Sequence, residues 1–188
     1  MARPFVTQTW EERIDEKGRP VGRPNTSPSR EGTVVSPGAE GGTNWYSPSY
    51  SPLTKLFYLS VWDFASKFYS GEAPYQPGTH FFGSVPVRRR EDPGSGAVKA
   101  IDPSTGEVRW QYKLYSMPQA GILSTAGNLV FGGTDEGQFF ALDAGTGKEL
   151  WRANTGGVIA AGPVSYLSNA KQLVSVAAGS AIFTFGLE

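Results

Sequence analysis

The chain uses one thirteen-residue phrase twice. Val98–Trp110 reads VKAIDPSTGEVRW, and forty-one residues later Phe139–Trp151 reads FFALDAGTGKELW. Superposed, the two share Ala100/Ala141, Asp102/Asp143, Thr105/Thr146, Gly106/Gly147 and Trp110/Trp151, with Ile101 matched by Leu142. A period near 40 residues is what one β-propeller blade needs, since four short strands and their turns use roughly that many. Val98–Ile101 and Phe139–Leu142 suit buried strands. The Asp-x-x-Thr-Gly that follows carries turn chemistry: the carboxylate accepts backbone N–H bonds and the glycine takes the positive φ that closes the turn. Trp110 and Trp151, at one place in each repeat, are read as packing residues wedged against the neighbouring blade, each able to bury roughly 150–250 Å².

Composition agrees with an all-β chain. Twenty-four glycines and 13% aromatic residues favour many short strands and tight turns, and no window holds a 3.6-residue apolar period. Seventeen acidic and seventeen basic residues leave no net charge, so neither nucleic acid nor an anionic membrane is an expected partner. The absence of cysteine excludes disulfides and thiolate metal sites. No run approaches the ~18 apolar residues of a transmembrane segment.

In chain order, residues 1–40 form a loop-rich segment of Pro, Gly and charge, in which Gly32–Val35 is a candidate outer strand; disorder is the other reading. Residues 41–188 read as the propeller domain. Asn44–Tyr50 and Leu56–Trp62 are two strands joined by a turn at Ser51–Lys55, and Val98–Ile101 and Val108–Lys113 complete that blade. Between them, 63–96 is a long irregular insertion holding the only histidine, His80, and the run Arg88-Arg89-Arg90-Glu91-Asp92. A lone histidine without a second ligand at metal spacing reads as loop packing, and the charge run as a solvated loop. A second blade follows at Gly121–Thr125, Leu129–Gly132, Gln138–Leu142 and Glu149–Ala153, with turns at Thr125–Asn128 and Thr134–Gly137. Val158–Tyr166, Gln172–Ala177 and Ala181–Phe185 supply three strands of a third.

The repeat, A-φ-D-x-x-T-G-x-x-x-W, resembles the tryptophan-docking repeat of the quinoprotein dehydrogenases, propeller enzymes that use pyrroloquinoline quinone (PQQ). Ala120–Asp135, AGILSTAGNLVFGGTD, Gly137–Trp151, and the ending AAGSAIFTFGL resemble C-terminal blades of the soluble PQQ-dependent alcohol dehydrogenases, and Gly41–Tyr58, GGTNWYSPSYSPLTKLFY, resembles an earlier blade. The resemblance implies a partial antiparallel β-propeller, about three blades of an eight-bladed ring. Because three blades cannot close, missing blades or another subunit must complete the ring, and the chain is expected to be a fragment of a longer protein. The family is periplasmic, whereas MARPFVTQTWEERIDEKGR has no apolar export-signal core; a longer parent would reconcile the two.

The resemblance also implies a role. The parent would be an oxidoreductase that oxidises an alcohol or sugar hydroxyl and passes electrons to a cytochrome or quinone. Within this chain Asn44 and Trp45 match the family's cofactor-contacting Asn-Trp pair, an uncharged amide donor beside an aromatic wall. Read from residues alone, they are equally a turn asparagine and a core tryptophan. Gln119 stands where the family has a tryptophan that stacks on PQQ; it lacks the aromatic face but can hydrogen-bond a ring oxygen. The family's general base, its calcium ligands and its arginine lie in blades outside this chain, so no catalytic or metal-ligating residue is assigned here. The alternative is a non-catalytic propeller scaffold for protein assembly.

Overall fold

The computed structural model describes residues 2–72, 74–81, 84–88 and 93–186, the backbone alone for 84–88. Every regular element among them is a strand, and none is a helix able to cross a membrane. The chain divides into two compact units, one of Thr43–Trp62 with Ser95–Glu188, the other of Ala2–Gly42 with Asp63–Gly94.

The first unit is a partial antiparallel propeller of three blades. The first blade has the order β4 (Ser49–Ser51), β5 (Leu56–Asp63), β8 (Ser95–Ile101), β9 (Val108–Leu114). The second runs β10 (Leu123–Ser124), β11 (Leu129–Gly133), β12 (Gln138–Asp143), β13 (Glu149–Asn154). The third has β14 (Val164–Ser168), β15 (Lys171–Ala178) and β16 (Ala181–Gly186).

Strand periodicity explains the core. Along β11 and β12, Val130, Phe140 and Leu142 join Leu56, Tyr58, Val98 and Ala100 of the first blade. The alternate residues Phe131, Phe139 and Ala141 join Ile159, Val174 and Val176 on the side of the third. A middle blade covered on both faces therefore needs the unbroken apolar run Phe139–Leu142. Outer strand β9 is covered on one face only, so Trp110, Tyr112 and Leu114 alternate inward among exposed residues.

The repeated turns form as their residues dictate. Asp102 Oδ1 accepts the Ser104 amide and hydroxyl, at 2.9 and 2.6 Å. Asp143 Oδ1 accepts the Gly145 and Thr146 amides and the Thr146 hydroxyl, at 2.8 to 3.0 Å. The Ser104 hydroxyl first of all holds the Asp102 carboxyl below the usual range, and the Thr146 hydroxyl does the same for Asp143. Gly147 closes its turn at φ 71°. Trp110 lies over that glycine and donates Nε1–H to Ala144 O at 3.0 Å, so the wedge expected of this tryptophan is the contact it makes. The same carbonyl takes Tyr58 Oη at 3.0 Å. Trp151 instead meets Phe139 and Phe185 edge-on, at centroid distances of 5.9 and 5.0 Å, and stays 39% exposed.

The strands that open each blade are shorter than the sequence suggests. Of Asn44–Tyr50 only Ser49 and Tyr50 are in β4, of Gly121–Thr125 only Leu123 and Ser124 pair, and Val158–Tyr166 becomes a strand at Val164. Their leading backbone donors go to other segments: Ile122 N–H to Ser47 O, and Ile159 N–H to Thr134 O. Pro48 and Pro163 have no N–H to give to a ladder.

The second unit holds the hairpin β1 (Glu11–Ile14) and β2 (Pro20–Gly22), and the sheet β3 (Thr33–Val35), β6 (Ser66–Ser70), β7 (Ser84–Arg88). The insertion expected to be irregular thus carries two strands, and Thr33–Val35, within the candidate outer strand Gly32–Val35, pairs with one of them at the edge of this sheet. His80 is exposed, and Arg89, Arg90, Glu91 and Asp92 lie outside the described residues.

A Cβ at Gly147 would sit 2.5 Å from Trp110 Cε3, whereas one at Gly156, φ also 71°, would meet nothing within 4 Å. Gly156→Ala should cost about 1 kcal/mol for the left-handed backbone alone, and Gly147→Ala about 2–3 kcal/mol through displacement of the indole as well. Urea unfolding of the two variants measures the difference, and equal losses would show the Trp110 contact to be slack. Tyr58→Phe removes one of two donors to Ala144 O, which Trp110 still satisfies, so a loss of only about 1 kcal/mol is expected in the same assay.

Candidate functional site

The site is built where the first two blades open. Thr43 Oγ1 donates to Ser60 O at 2.8 Å, tying the segment before β4 to β5. The next residue bends the chain: Asn44 Oδ1 accepts the Trp45 amide at 2.8 Å. Trp45 is thereby left 76% exposed, and its ring leans on Tyr46 at a centroid distance of 4.6 Å. Tyr46 is buried against Trp62, at 5.6 Å.

The end of β5 then sets the segment before β10. Trp62 Nε1 donates to Pro118 O at 2.6 Å, and Ser60 Oγ donates to Ala120 O at 2.7 Å. With the carbonyls on either side captured, the backbone at Gln119 is held. Its Oε1 accepts from the Tyr46 hydroxyl at 3.4 Å, and its Nε2 donates to Asp135 Oδ2 at 3.1 Å. Asp135 lies in the turn between β11 and β12; its Oδ1 is buried and reaches no hydrogen-bond partner. Burial pushes this carboxyl above the ordinary carboxylate range, opposed by the Gln119 hydrogen bond and reinforced by the charge of Glu136.

The three residues singled out in the sequence are therefore linked: Asn44 accepts the Trp45 amide, and the Trp45 ring leans on Tyr46, which bonds Gln119. Sequence reading missed Tyr46, Trp62 and Asp135. Trp62 and Tyr46 were legible only as core aromatics, and Asp135 only as a turn residue in Thr134–Gly137. Chemically the group offers an exposed indole face to a planar ligand, amides that donate or accept without charge, and one carboxyl. Among the described residues no three His, Asp or Glu side chains are grouped to hold a metal.

An apolar groove of about 990 Å³ lies elsewhere, between the second and third blades, lined by Leu123, Leu129, Phe131, Leu150, Trp151 and Phe185.

These antiparallel blades, the first two joined by Trp110 over the Asp143–Gly147 turn, have counterparts in known proteins. A family profile described as outer membrane protein assembly factor BamB matches residues 94–185. Quinoprotein alcohol dehydrogenase PedE of Pseudomonas putida is 38% identical over 187 residues, 94% of this chain and 30% of the relative. The structure of quinohemoprotein alcohol dehydrogenase ADHIIG from Pseudomonas putida HK5 superposes with a TM-score of 0.85 at 28% identity, over 97% of this chain and 29% of that one. A europium-containing methanol dehydrogenase gives 0.84 at 31% identity, over 94% and 32%. The chain is similar to the quinoprotein alcohol dehydrogenases, and its fold matches part of theirs. It spans about 30% of the length of the relatives it matches.

The raised carboxyl of Asp135 has a consequence for stability. A carboxyl that holds its proton to higher pH when folded contributes stability below the unfolded value of about 3.9, and that contribution is lost as pH rises through the folded value. Asp135→Asn, which keeps an acceptor for Gln119, should therefore be more stable than wild type at pH 7. The advantage should vanish below about pH 3.9, as urea midpoints at the two pH values will show.

Proposed function

We propose that the chain is part of a periplasmic PQQ-dependent dehydrogenase that oxidises an alcohol or sugar hydroxyl, and that it supplies one wall of the cofactor pocket. The observation that carries this reading is Trp45: a tryptophan 76% exposed, braced by Tyr46 and turned outward by Asn44, beside a held glutamine amide. PQQ, when bound, would supply the two-electron oxidant. Its flat ring system suits the indole face of Trp45. Its quinone oxygens suit a side-chain amide donor of the kind Asn44 carries. Gln119 would contribute an edge contact in place of a stacking ring.

The base and the calcium or other metal that accompany PQQ would come from residues outside this chain, as would the remaining blades. The electron acceptor would be a cytochrome or a quinone.

A second reading, a non-catalytic scaffold for protein assembly, is favoured by the apolar groove between the second and third blades, where Leu150 is 53% exposed. It also fits the description of the matching family profile. Titration of the 188-residue chain with PQQ, followed by tryptophan fluorescence, separates the two. The pocket reading expects saturable quenching below ~100 μM, where a −5 to −6 kcal/mol interaction is visible, and at least a tenfold loss of affinity in Trp45→Ala and in Asn44→Ala. A wild-type chain that shows no saturation leaves the scaffold reading in place.

A further inference from the structure

Asp135 is a member of the candidate site to which the sequence assigned no role beyond a turn, and its geometry is unusual. The backbone carbonyls that flank Gln119 are held by Trp62 and Ser60, so the amide keeps only its side-chain freedom. Asp135 Oδ2 removes much of that. By accepting from Nε2 it directs Oε1 towards the Tyr46 hydroxyl; the flipped amide would set oxygen against carboxylate oxygen. The other carboxyl oxygen, Oδ1, is buried without a partner. The groups that face Asp135 do not compensate its charge. Gln119, which bonds it, is neutral, and Glu136, the charged neighbour acting on it, has the same sign.

Resting on the pocket reading above, we propose that Asp135 is a positioning residue for Gln119, and that the proton on its carboxyl sets how tightly an anionic planar ligand binds against Trp45 and Gln119. With the carboxyl neutral, Oδ2 still accepts from Gln119 and the wall of the site carries no charge. With it ionised, the amide is held more firmly, but an anion such as the tricarboxylate PQQ meets a poorly solvated like charge. Such a charge is worth on the order of tenfold in affinity. Desolvation of the partly buried carboxyl raises its pKa, so the change sets in at higher pH than for an ordinary aspartate.

The test is the dissociation constant of PQQ for the full 188-residue chain, read by tryptophan quenching from below the ordinary aspartate value, about pH 3.5, up to about pH 7.5, for wild type, Asp135→Asn and Asp135→Ala. Wild type should weaken about tenfold as pH rises. Asp135→Asn, always neutral and still an acceptor, should bind at every pH as wild type does at the acid end. Asp135→Ala, which leaves the amide undirected, should bind several-fold more weakly than Asp135→Asn throughout. Titration of the ligand's own carboxylates or of Glu136 would appear equally in all three proteins and so drops out of the comparison. The proposal is overturned if Asp135→Asn keeps the wild-type pH profile, or if Asp135→Ala binds as tightly as Asp135→Asn. Saturable, pH-independent binding by wild type overturns it and leaves the pocket reading standing, whereas no saturable binding at any pH removes both. Should circular dichroism show Asp135→Ala unfolded, the pH profiles of wild type and Asp135→Asn decide alone.

Discussion

One backbone carbonyl receives two side-chain hydrogen bonds across the seam between the first two blades. Ala144 O, in the turn after β12, accepts the Trp110 indole N–H and the Tyr58 hydroxyl, both from the preceding blade, while the Trp110 ring lies on Gly147 of the same turn. A buried phenol and indole each need a partner, and one protruding turn supplies it. The contact is tight because residue 147 has no Cβ, and residue 147 is glycine because the turn demands positive φ. Two requirements, backbone closure and inter-blade packing, converge on one position.

That lock gives the blades a register, and the register builds the candidate site. Once β5 and β11–β12 share a core, Ile122 N–H reaches Ser47 O and the blade-opening segments lie side by side. Ser60 and Trp62, at the end of β5, then take the carbonyls around Gln119. The polar chain Tyr46–Gln119–Asp135 follows from packing elsewhere in the unit rather than from any local motif. Trp151 settles instead between Phe139 and Phe185 and remains partly exposed beside the apolar groove.

Much of the propeller was legible in the sequence, because a blade repeats its chemistry. The Asp-x-x-Thr-Gly turns, the turns at Thr125–Asn128 and Thr134–Gly137, and the buried run Phe139–Leu142 all announce themselves by residue type at fixed offsets. The sheet of β3, β6 and β7 does not, since its strands are short, partly polar and brought together from segments some thirty residues apart with no repeat to flag them. The blade-opening strands were overestimated for a related reason. Apolar and β-branched residues mark them as strand, but which partner takes their N–H groups is not a property of the segment, and Ile122 and Ile159 gave theirs to other loops.

The sequence by itself therefore determined an all-β chain, the blade period, the turn chemistry, and the family resemblance that drew attention to Asn44, Trp45 and Gln119. Each of these rests on local residue types at regular spacing. Only the tertiary structure decided that Trp45 faces outward while its neighbour Tyr46 is buried, that Gln119 is held between Tyr46 and Asp135, and that one oxygen of Asp135 is buried alone. Those outcomes depend on acceptors meeting donors far along the chain, as the Pro118 carbonyl meets Trp62 fifty-six residues away, and such meetings are fixed by how packed blades align.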